Sequence, residues 1–205
     1  MRVWLLLSVL AALAVGCGSQ KESVAAKQSA QVRTGPASWP APADPIALTL
    51  KAGLKPEKHE FFAYHVHAHL DVLVNGQAIA VPAGIGIDIT DPGVQHGVAP
   101  DGTPTYGGIE ECDRPCISPL HTHDDTGVLH TESQHAHPNR LGQFFTEWNV
   151  RLTRTCVGGY CKRVRFYVDG KRYLGDTRAI TLTDLKEIAI VTGSPPASIP
   201  SRFPS

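Results

Sequence analysis

Methionine is almost absent from the sequence, because Met1 is the only one among 205 residues. A Met-rich carrier of Cu(I) is therefore excluded, and a blue-copper site would lack its usual axial ligand. The chain also lacks an excess of charge of either sign, since Lys and Arg number 19 and Asp and Glu also number 19. No basic surface points to nucleic acid as a partner. The absence of a P-loop, dinucleotide fingerprint or nucleophile elbow gives no support to nucleotide chemistry or covalent hydrolysis.

The chain contains ten His and five Cys, and 42% of its residues are apolar. This composition fits one globular domain. We expect a His-rich domain rich in β-strands over residues 46–193. Residues 17–45 are rich in Gly, Ser, Gln, Ala and Pro and predict a disordered tether. Residues 194–205, with four Pro, predict a non-helical strap.

The N-terminus has the features of an export signal. Arg2 precedes an apolar run of about 14 residues, which is too short to span a bilayer and favours a cleaved signal peptide over residues 1–16. Cys17 follows at once and resembles the lipobox cysteine of bacterial lipoproteins. That resemblance implies acylation of Cys17 and a membrane anchor, with the domain facing the periplasm or the cell exterior. The alternative is an ordinary signal peptide with an incidental cysteine.

Four cysteines remain in the exported chain, where thiols usually form disulfides. Cys156 and Cys161 flank a Gly-Gly turn and would face each other at the end of a hairpin. This favours a Cys156–Cys161 disulfide and, by elimination, a Cys112–Cys116 disulfide. A cross-pairing between the two segments is the alternative, and a four-Cys zinc site is a minor one.

Residues 64–74 (YHVHAHLDVLV) alternate polar with apolar side chains. Because successive side chains of a strand point to opposite faces, His65, His67, His69 and Asp71 would share one face. The Asn-Gly pair that follows predicts a hairpin turn, with residues 77–82 as the return strand. The pattern predicts a strand with one apolar face and one row of imidazoles.

A second group of histidines lies in residues 120–132 (LHTHDDTGVLHTE). With the DDTG segment as the loop, His123 faces Val128, and His121 lies opposite His130. Neighbouring side chains on one face lie about 5 Å apart, close enough for several ring nitrogens to reach one ion. We expect a metal site on a β platform, with Glu132 on the same face.

The candidate metal ligands are the histidines of both runs. They are His65, His67, His69, His121, His123 and His130. If the cysteines are oxidised, the donors are imidazole and carboxylate, a set that suits Zn(II), Cu(II), Ni(II) or Fe(II), with Zn(II) and Cu(II) favoured. The isolated His59 and His96 carry no such pattern, and His135 and His137 fall in a loop expected to be solvated.

Three uses of this site are compatible with the residues. The first is a membrane-tethered domain that binds a metal ion for sequestration, delivery or sensing. The second is a metalloenzyme with an open coordination position that carries water, in which Glu132 or Asp124 acts as general base. The third is a structural lipoprotein whose histidine face binds a protein partner without metal. A closed site of four or more protein ligands would favour binding, and an open site in a pocket would favour catalysis.

Five stretches of the chain together carry a resemblance. They are residues 65–72, 81–87, 120–132, 141–148 and 187–193. Read together, they resemble a family of uncharacterised exported or lipid-anchored bacterial proteins, over about residues 60–200. The resemblance implies a shared fold and site but brings no established activity.

The remaining patterns predict an α+β fold. Asn139 would cap a short amphipathic helix from Arg140 to Trp148, packed on a sheet. The sheet would contain hairpins at residues 64–82, 119–132 and 149–168 and a last strand near residues 187–192. This arrangement is similar to a β-grasp. A β-sandwich is the alternative.

Overall fold

The computed structural model describes residues 31–204. The predicted signal peptide and Cys17 lie outside these residues. In chain order the elements are α1 (Pro45–Lys51), β1 (Tyr64–Val74), β2 (Gln77–Ile79), β3 (Gln95–Val98), β4 (Pro104–Gly107), β5 (Leu120–His121), β6 (Val128–Ser133), α2 (Leu141–Glu147), β7 (Arg165–Val168), β8 (Lys171–Tyr173) and β9 (Lys186–Thr192). Within the described part, no helix combines the length and apolar character needed to cross a bilayer.

Seven of the described strands form one mixed sheet in the order β5-β6-β1-β9-β7-β8, with β2 pairing with β1. The central pair, β1 and β9, is parallel, and its neighbours are antiparallel. Strands β3 and β4 form a separate hairpin. Helix α2 packs on the sheet, so the predicted α+β class is confirmed and the β-sandwich alternative is not observed. The likeness to a β-grasp stays a prediction.

The main core lies between the apolar face of β1 and helix α2. Ala68, Leu70 and Val72 alternate along β1 and are almost fully buried, as the strand periodicity predicts. Phe144 and Trp148 of the α2 region are completely buried in the same apolar cluster. The opposite face of β1 is thereby left to its histidines.

Helix α2 begins one residue later than the sequence suggested. Its N-cap is Arg140, whose backbone N–H donates to Gln143 Oε1 at 2.9 Å. Asn139, expected as the cap, instead donates through Nδ2 to the carbonyl of Pro119 at 3.2 Å and to the hydroxyl of Thr131 at 3.3 Å. Its amide N–H group thus ties the start of the helix to the segment before β5 and to β6.

The prediction of a hairpin over residues 149–168 is wrong, because its two halves do not pair as strands with each other. Strand β7 pairs with β8 and β9, while the preceding segment forms only isolated bridges such as Leu152 with Val157. The physical reason is the Asp169-Gly170 turn, where both residues have positive φ (49° and 73°) and close a tight β7-β8 hairpin. The last strand, β9, lies where it was predicted.

Both disulfides form as predicted, Cys112–Cys116 and Cys156–Cys161. Cys112 and Cys116 are buried in a second, smaller apolar cluster with Ile87, Ile109 and Ile117. All cysteines of residues 31–204 are therefore oxidised, which is consistent with an exported protein.

The segments that flank the expected domain also pack on it. Trp39 is 3% exposed and meets Trp148 edge to face, with ring centroids 5.6 Å apart. Arg33 forms a β-bridge with Val150. Packing on the domain therefore begins before residue 46, because the indole of Trp39 is buried in the core. The C-terminal strap is non-helical, and its Phe203 ring lies 6.2 Å from that of His69.

Candidate metal centre

The two histidine runs meet because β6 lies between β1 and β5. His67 is paired with His130, and His130 is paired with His121, so three imidazoles form a row across three strands. In the adjacent position, His65 is paired with Glu132. Paired side chains lie on the same face of a sheet. These residues and His123 form one group, called here the histidine cluster: His65, His67, His121, His123, His130 and Glu132.

The register of His121 opposite His130 is the one the sequence predicts, but the next pair is not formed. His123 was expected opposite Val128, whereas the β5-β6 ladder ends at His121. The reason is β4, because the backbone N–H of Tyr106 donates to the carbonyl of His123 at 2.8 Å. His123 is thereby turned toward His121, and their Nε2 atoms lie 3.1 Å apart.

The outer nitrogens of His121 and His123 are held by backbone carbonyls. His121 Nδ1 donates to the carbonyl of Ser118 at 2.9 Å, and His123 Nδ1 donates to the carbonyl of Tyr106. A carbonyl can only accept, so Nδ1 carries a proton on each ring, which leaves Nε2 as the ligand atom whenever the ring is neutral. Both Nε2 atoms therefore point into the same small space. This is the arrangement in which metal-binding histidines are oriented by their surroundings.

Glu132 occupies the middle of the histidine cluster and is 4% exposed. Its Oε1 atom lies 3.1 Å from His65 Nε2, 3.3 Å from His130 Nδ1 and 3.8 Å from His121 Nε2. Its Oε2 atom is buried without a hydrogen-bond partner among the described residues. One carboxylate thus has a free oxygen and an oxygen shared among imidazoles.

Protonation states in the cluster suit a ligand set. Burial, followed by repulsion from His123 and His130, lowers the pKa of His121 well below its ordinary value. Burial alone would raise the pKa of Glu132, but hydrogen bonds from His123 and His130 and the charge of nearby imidazoles hold it well below its usual range. His121 is therefore neutral and Glu132 ionised near neutral pH, the forms that bind metals. Burial lowers the pKa of His123, but its hydrogen bonds to Glu132 and Tyr106 outweigh burial and raise it, so a metal ion would displace a proton from His123 Nε2.

Glu60 lies beside the histidine cluster, and it was not identified from the sequence. Its Oε1 lies 3.5 Å from His123 Nε2. Its backbone N–H donates to the carbonyl of Ile109 at 3.1 Å, next to the Cys112–Cys116 disulfide. Residues 52–63 have no alternation that would have marked this carboxylate, because only long-range pairing brings it to the cluster.

His69, a predicted ligand, lies apart from the other five histidines. Its neighbour on β6 is Val128 and its neighbour on β9 is Glu187, so no histidine is paired with it. Its Nδ1 contacts Glu187 Oε2 at 2.8 Å and its Nε2 contacts the carbonyl of Thr126 at 2.9 Å. Burial opposes protonation, but Glu187 outweighs it and raises the pKa of His69. His69, Asp71 and Glu187 form a separate group with metal-ligand spacing.

The other candidates lie outside the cluster. Asp124 forms a turn, in which Oδ1 accepts from the backbone N–H of Thr126 at 3.0 Å. His96 is exposed, and its Nε2 contacts the carbonyl of Ile89 at 2.8 Å. His135 and His137 are exposed on the rim of a cavity that borders Glu132. None of these side chains is brought to the row of His67, His130 and His121.

Two groups of atoms in the cluster have the spacing of a metal site. In each group, one ligand atom per residue lies within 4.8 Å of every other. The first group is His121, His123, His130 and Glu132, and the second is His65, His67 and His130. His/Glu groups that could hold a metal ion are therefore present on the β platform.

Comparison of the chain with family models, with curated proteins and with solved structures gave no match. The resemblance drawn from the sequence motifs therefore stays an expectation, and the function rests on the geometry of the site.

Proposed function

We propose that this protein is an extracytoplasmic domain that binds Zn(II) or Cu(II) through His121, His123, His130 and Glu132. The observation that carries the proposal is the pair of Nε2 atoms of His121 and His123, 3.1 Å apart, with both Nδ1 atoms bound to carbonyls. Two lone pairs at this distance repel each other unless a proton or a cation lies between them. Two nitrogens bound tetrahedrally to one zinc ion at ordinary bond lengths are about 3.3 Å apart.

The donor set supports a borderline transition metal. The described cysteines are in disulfides, so thiolates are not offered, and the remaining donors are imidazoles and a carboxylate. Such donors suit Zn(II) and Cu(II). Four protein ligands in the first group fill a tetrahedral zinc site.

This closed set favours metal binding over catalysis. A catalytic zinc site keeps one position open for water and has a base beside it. Here Glu132 is surrounded by imidazole nitrogens, and Asp124 is engaged in its turn. The role we propose is therefore sequestration, delivery or sensing of the ion at a membrane surface.

The membrane attachment is part of the proposal. An apolar export signal followed by Cys17, and two disulfides in the described domain, support a lipid-anchored protein outside the cytoplasm. Mass spectrometry of the protein from a membrane fraction tests this. The proposal expects an acylated N-terminal Cys17 and release into the soluble fraction on Cys17→Ser, and an unmodified Cys17 would contradict it.

The metal proposal is tested by calorimetric titration of the purified, metal-depleted protein with ZnCl2 and CuCl2. We expect tight binding that weakens by about 100-fold or more in His123→Ala, which removes one of the two opposed nitrogens. His96→Ala is the matched control, because it removes an exposed histidine outside the cluster. Equal binding by the wild type and His123→Ala would overturn the proposal.

A further inference from the structure

The histidine cluster holds more donors than one ion uses. A tetrahedral ion bound by the first group leaves His65, His67 and Glu60 in the same patch of the molecule. If the cluster binds a single ion, the imidazoles of His65 and His67 must have another structural role, such as a hydrogen bond that holds the fold.

The ring of His67 makes no hydrogen bond within residues 31–204 that would give it a structural role. Its ring contacts are with His65 and His130, both with centroids 4.5 Å away, and no hydrogen bond of its ring nitrogens is observed. Its backbone, by contrast, is bound, because the N–H donates to Asp184 Oδ1 at 3.1 Å. A half-buried imidazole with unpartnered nitrogens, held among other imidazoles, has the features of a ligand.

His65 joins the two groups through Glu132. Its Nε2 lies 3.1 Å from Glu132 Oε1, the same oxygen that lies 3.3 Å from His130 Nδ1. His130 itself belongs to both groups of closely spaced ligand atoms. The two groups therefore meet at one carboxylate and one imidazole.

From this arrangement we infer that the histidine cluster is a two-metal centre, whose second position is formed by His65 and His67 and meets the first at His130 and Glu132. This inference rests on the proposed function, since it adds an ion beside the first. Ions in two-metal sites lie about 3.5–4 Å apart, a separation that the two oxygens of Glu132 can bridge and at which His130 binds one of the two ions.

The two positions differ in their contact with solvent. His121 of the first group is fully buried, whereas His65 is exposed and His67 is half-buried. The second position is consequently the more open one. It binds its ion more weakly and exchanges it faster, which suits a centre that retains one ion and passes on another.

The test is the number of Zn(II) ions bound per chain, measured by elemental analysis after equilibration and gel filtration. The wild type is expected to bind two ions and His67→Ala one, with the affinity of the tighter ion unchanged. His96→Ala is the control and keeps both ions. Circular dichroism confirms that the variants remain folded, and His65→Ala, at an exposed position, provides a second variant of the same position.

A spectroscopic measurement separates two coupled ions from two unrelated ones. With two equivalents of Cu(II), neighbouring ions reduce the integrated electron paramagnetic resonance signal and produce a half-field transition, and His67→Ala restores the signal of one isolated ion. One ion in both wild type and His67→Ala would overturn the second position and leave the proposed function intact. Two uncoupled ions would also overturn it. No tightly bound ion in the wild type would overturn both.

Discussion

His65 and Glu132 face each other across strands β1 and β6, and the imidazole Nε2 lies 3.1 Å from the carboxylate Oε1. The same carboxylate reaches His130 and His121. Glu132 thus contacts histidines of both groups of closely spaced ligand atoms, and we expect its charge to matter more than that of the neighbouring Glu60.

Glu132→Gln is expected to weaken Zn(II) binding by about 100-fold, because an amide keeps the shape but removes the negative charge and the anionic ligand. Glu60→Gln is the matched comparison. Glu60 lies 3.5 Å from His123 but belongs to neither group of closely spaced ligand atoms, so its loss should cost about tenfold. Calorimetric titration at constant pH measures both, and an unchanged affinity in Glu132→Gln would contradict its place in the centre.

The Cys112–Cys116 disulfide should affect metal binding, and the Cys156–Cys161 disulfide should not. The backbone N–H groups of Cys112 and Cys116 donate to the carbonyls of Lys58 and Glu57, which hold the segment that carries Glu60. Cys161 instead borders a surface cavity with Val74, at the far end of β1 from His65.

Replacing either cysteine pair by alanine should reduce the free energy of unfolding by about 2 kcal/mol, the value for loops this short. Only the Cys112→Ala, Cys116→Ala protein should also bind Zn(II) more weakly. Urea denaturation and zinc titration measure the two effects. Equal zinc affinity in the two double variants would refute the link between this disulfide and the site.

Gly86 is expected to be indispensable to the position of His121. Its φ is +76°, and a Cβ there would lie 2.5 Å from the carbonyl of Leu120 and 3.2 Å from His121 Cβ. Gly86→Ala should therefore cost about 1–3 kcal/mol of stability and weaken metal binding. Gly53→Ala is the control, since its φ is +74° but nothing lies within 4 Å. That variant should lose some stability and keep its zinc affinity, and the same behaviour in Gly86→Ala would show the contact to be unimportant.

Glu147 should make the stability fall as the pH rises. It is fully buried on α2, where the hydroxyl of Thr49 donates to Oε1 at 2.9 Å and Oε2 has no partner among the described residues. Burial raises its pKa to about 8, against smaller opposing effects of the Ser118 and Thr49 hydroxyls. Because the folded state holds this proton more tightly than the unfolded state, its contribution is complete below the unfolded pKa of 4.5 and is lost as pH rises toward about 8.

By this linkage, the free energy of unfolding of the metal-free protein should fall by about 3 kcal/mol between pH 4.5 and pH 7 on account of Glu147. Glu147→Gln should remove this contribution, since an amide does not ionise, so the difference between the two proteins should change by about 3 kcal/mol over that range. Urea denaturation at a series of pH values measures this. A difference between the wild-type and Glu147→Gln free energies that stays constant from pH 4.5 to pH 7 would show that Glu147 is not buried as a neutral acid.

Local patterns in the sequence were sufficient for much of the fold. Alternation predicted the two faces of β1, and the Asn-Gly turn predicted its hairpin, where Asn75 and Gly76 both have positive φ. The DDTG loop predicted the pairing of His121 with His130, and the Gly-Gly turn predicted the Cys156–Cys161 disulfide and, by elimination, Cys112–Cys116. Each of these features depends on residues only a few positions apart.

The pairing of strands that are distant in sequence could not be predicted. Neither histidine run indicates that β1 and β6 are neighbours in the sheet. Their pairing joins the two runs into one cluster and places His69 beside Val128. Glu60 and Glu187 reach the histidines from distant segments with no periodicity of their own. The Asp169-Gly170 turn was a local signal, and giving it weight would have corrected the partners of β7.

The central claim is that a metal ion lies between His121 and His123. Anomalous X-ray diffraction from crystals of the Zn(II)-loaded protein, recorded on both sides of the zinc absorption edge, tests it most directly. We predict an anomalous peak at about 2.0–2.1 Å from the Nε2 atoms of both residues. A fully loaded crystal whose peaks lie only at exposed histidines such as His96 would contradict the account.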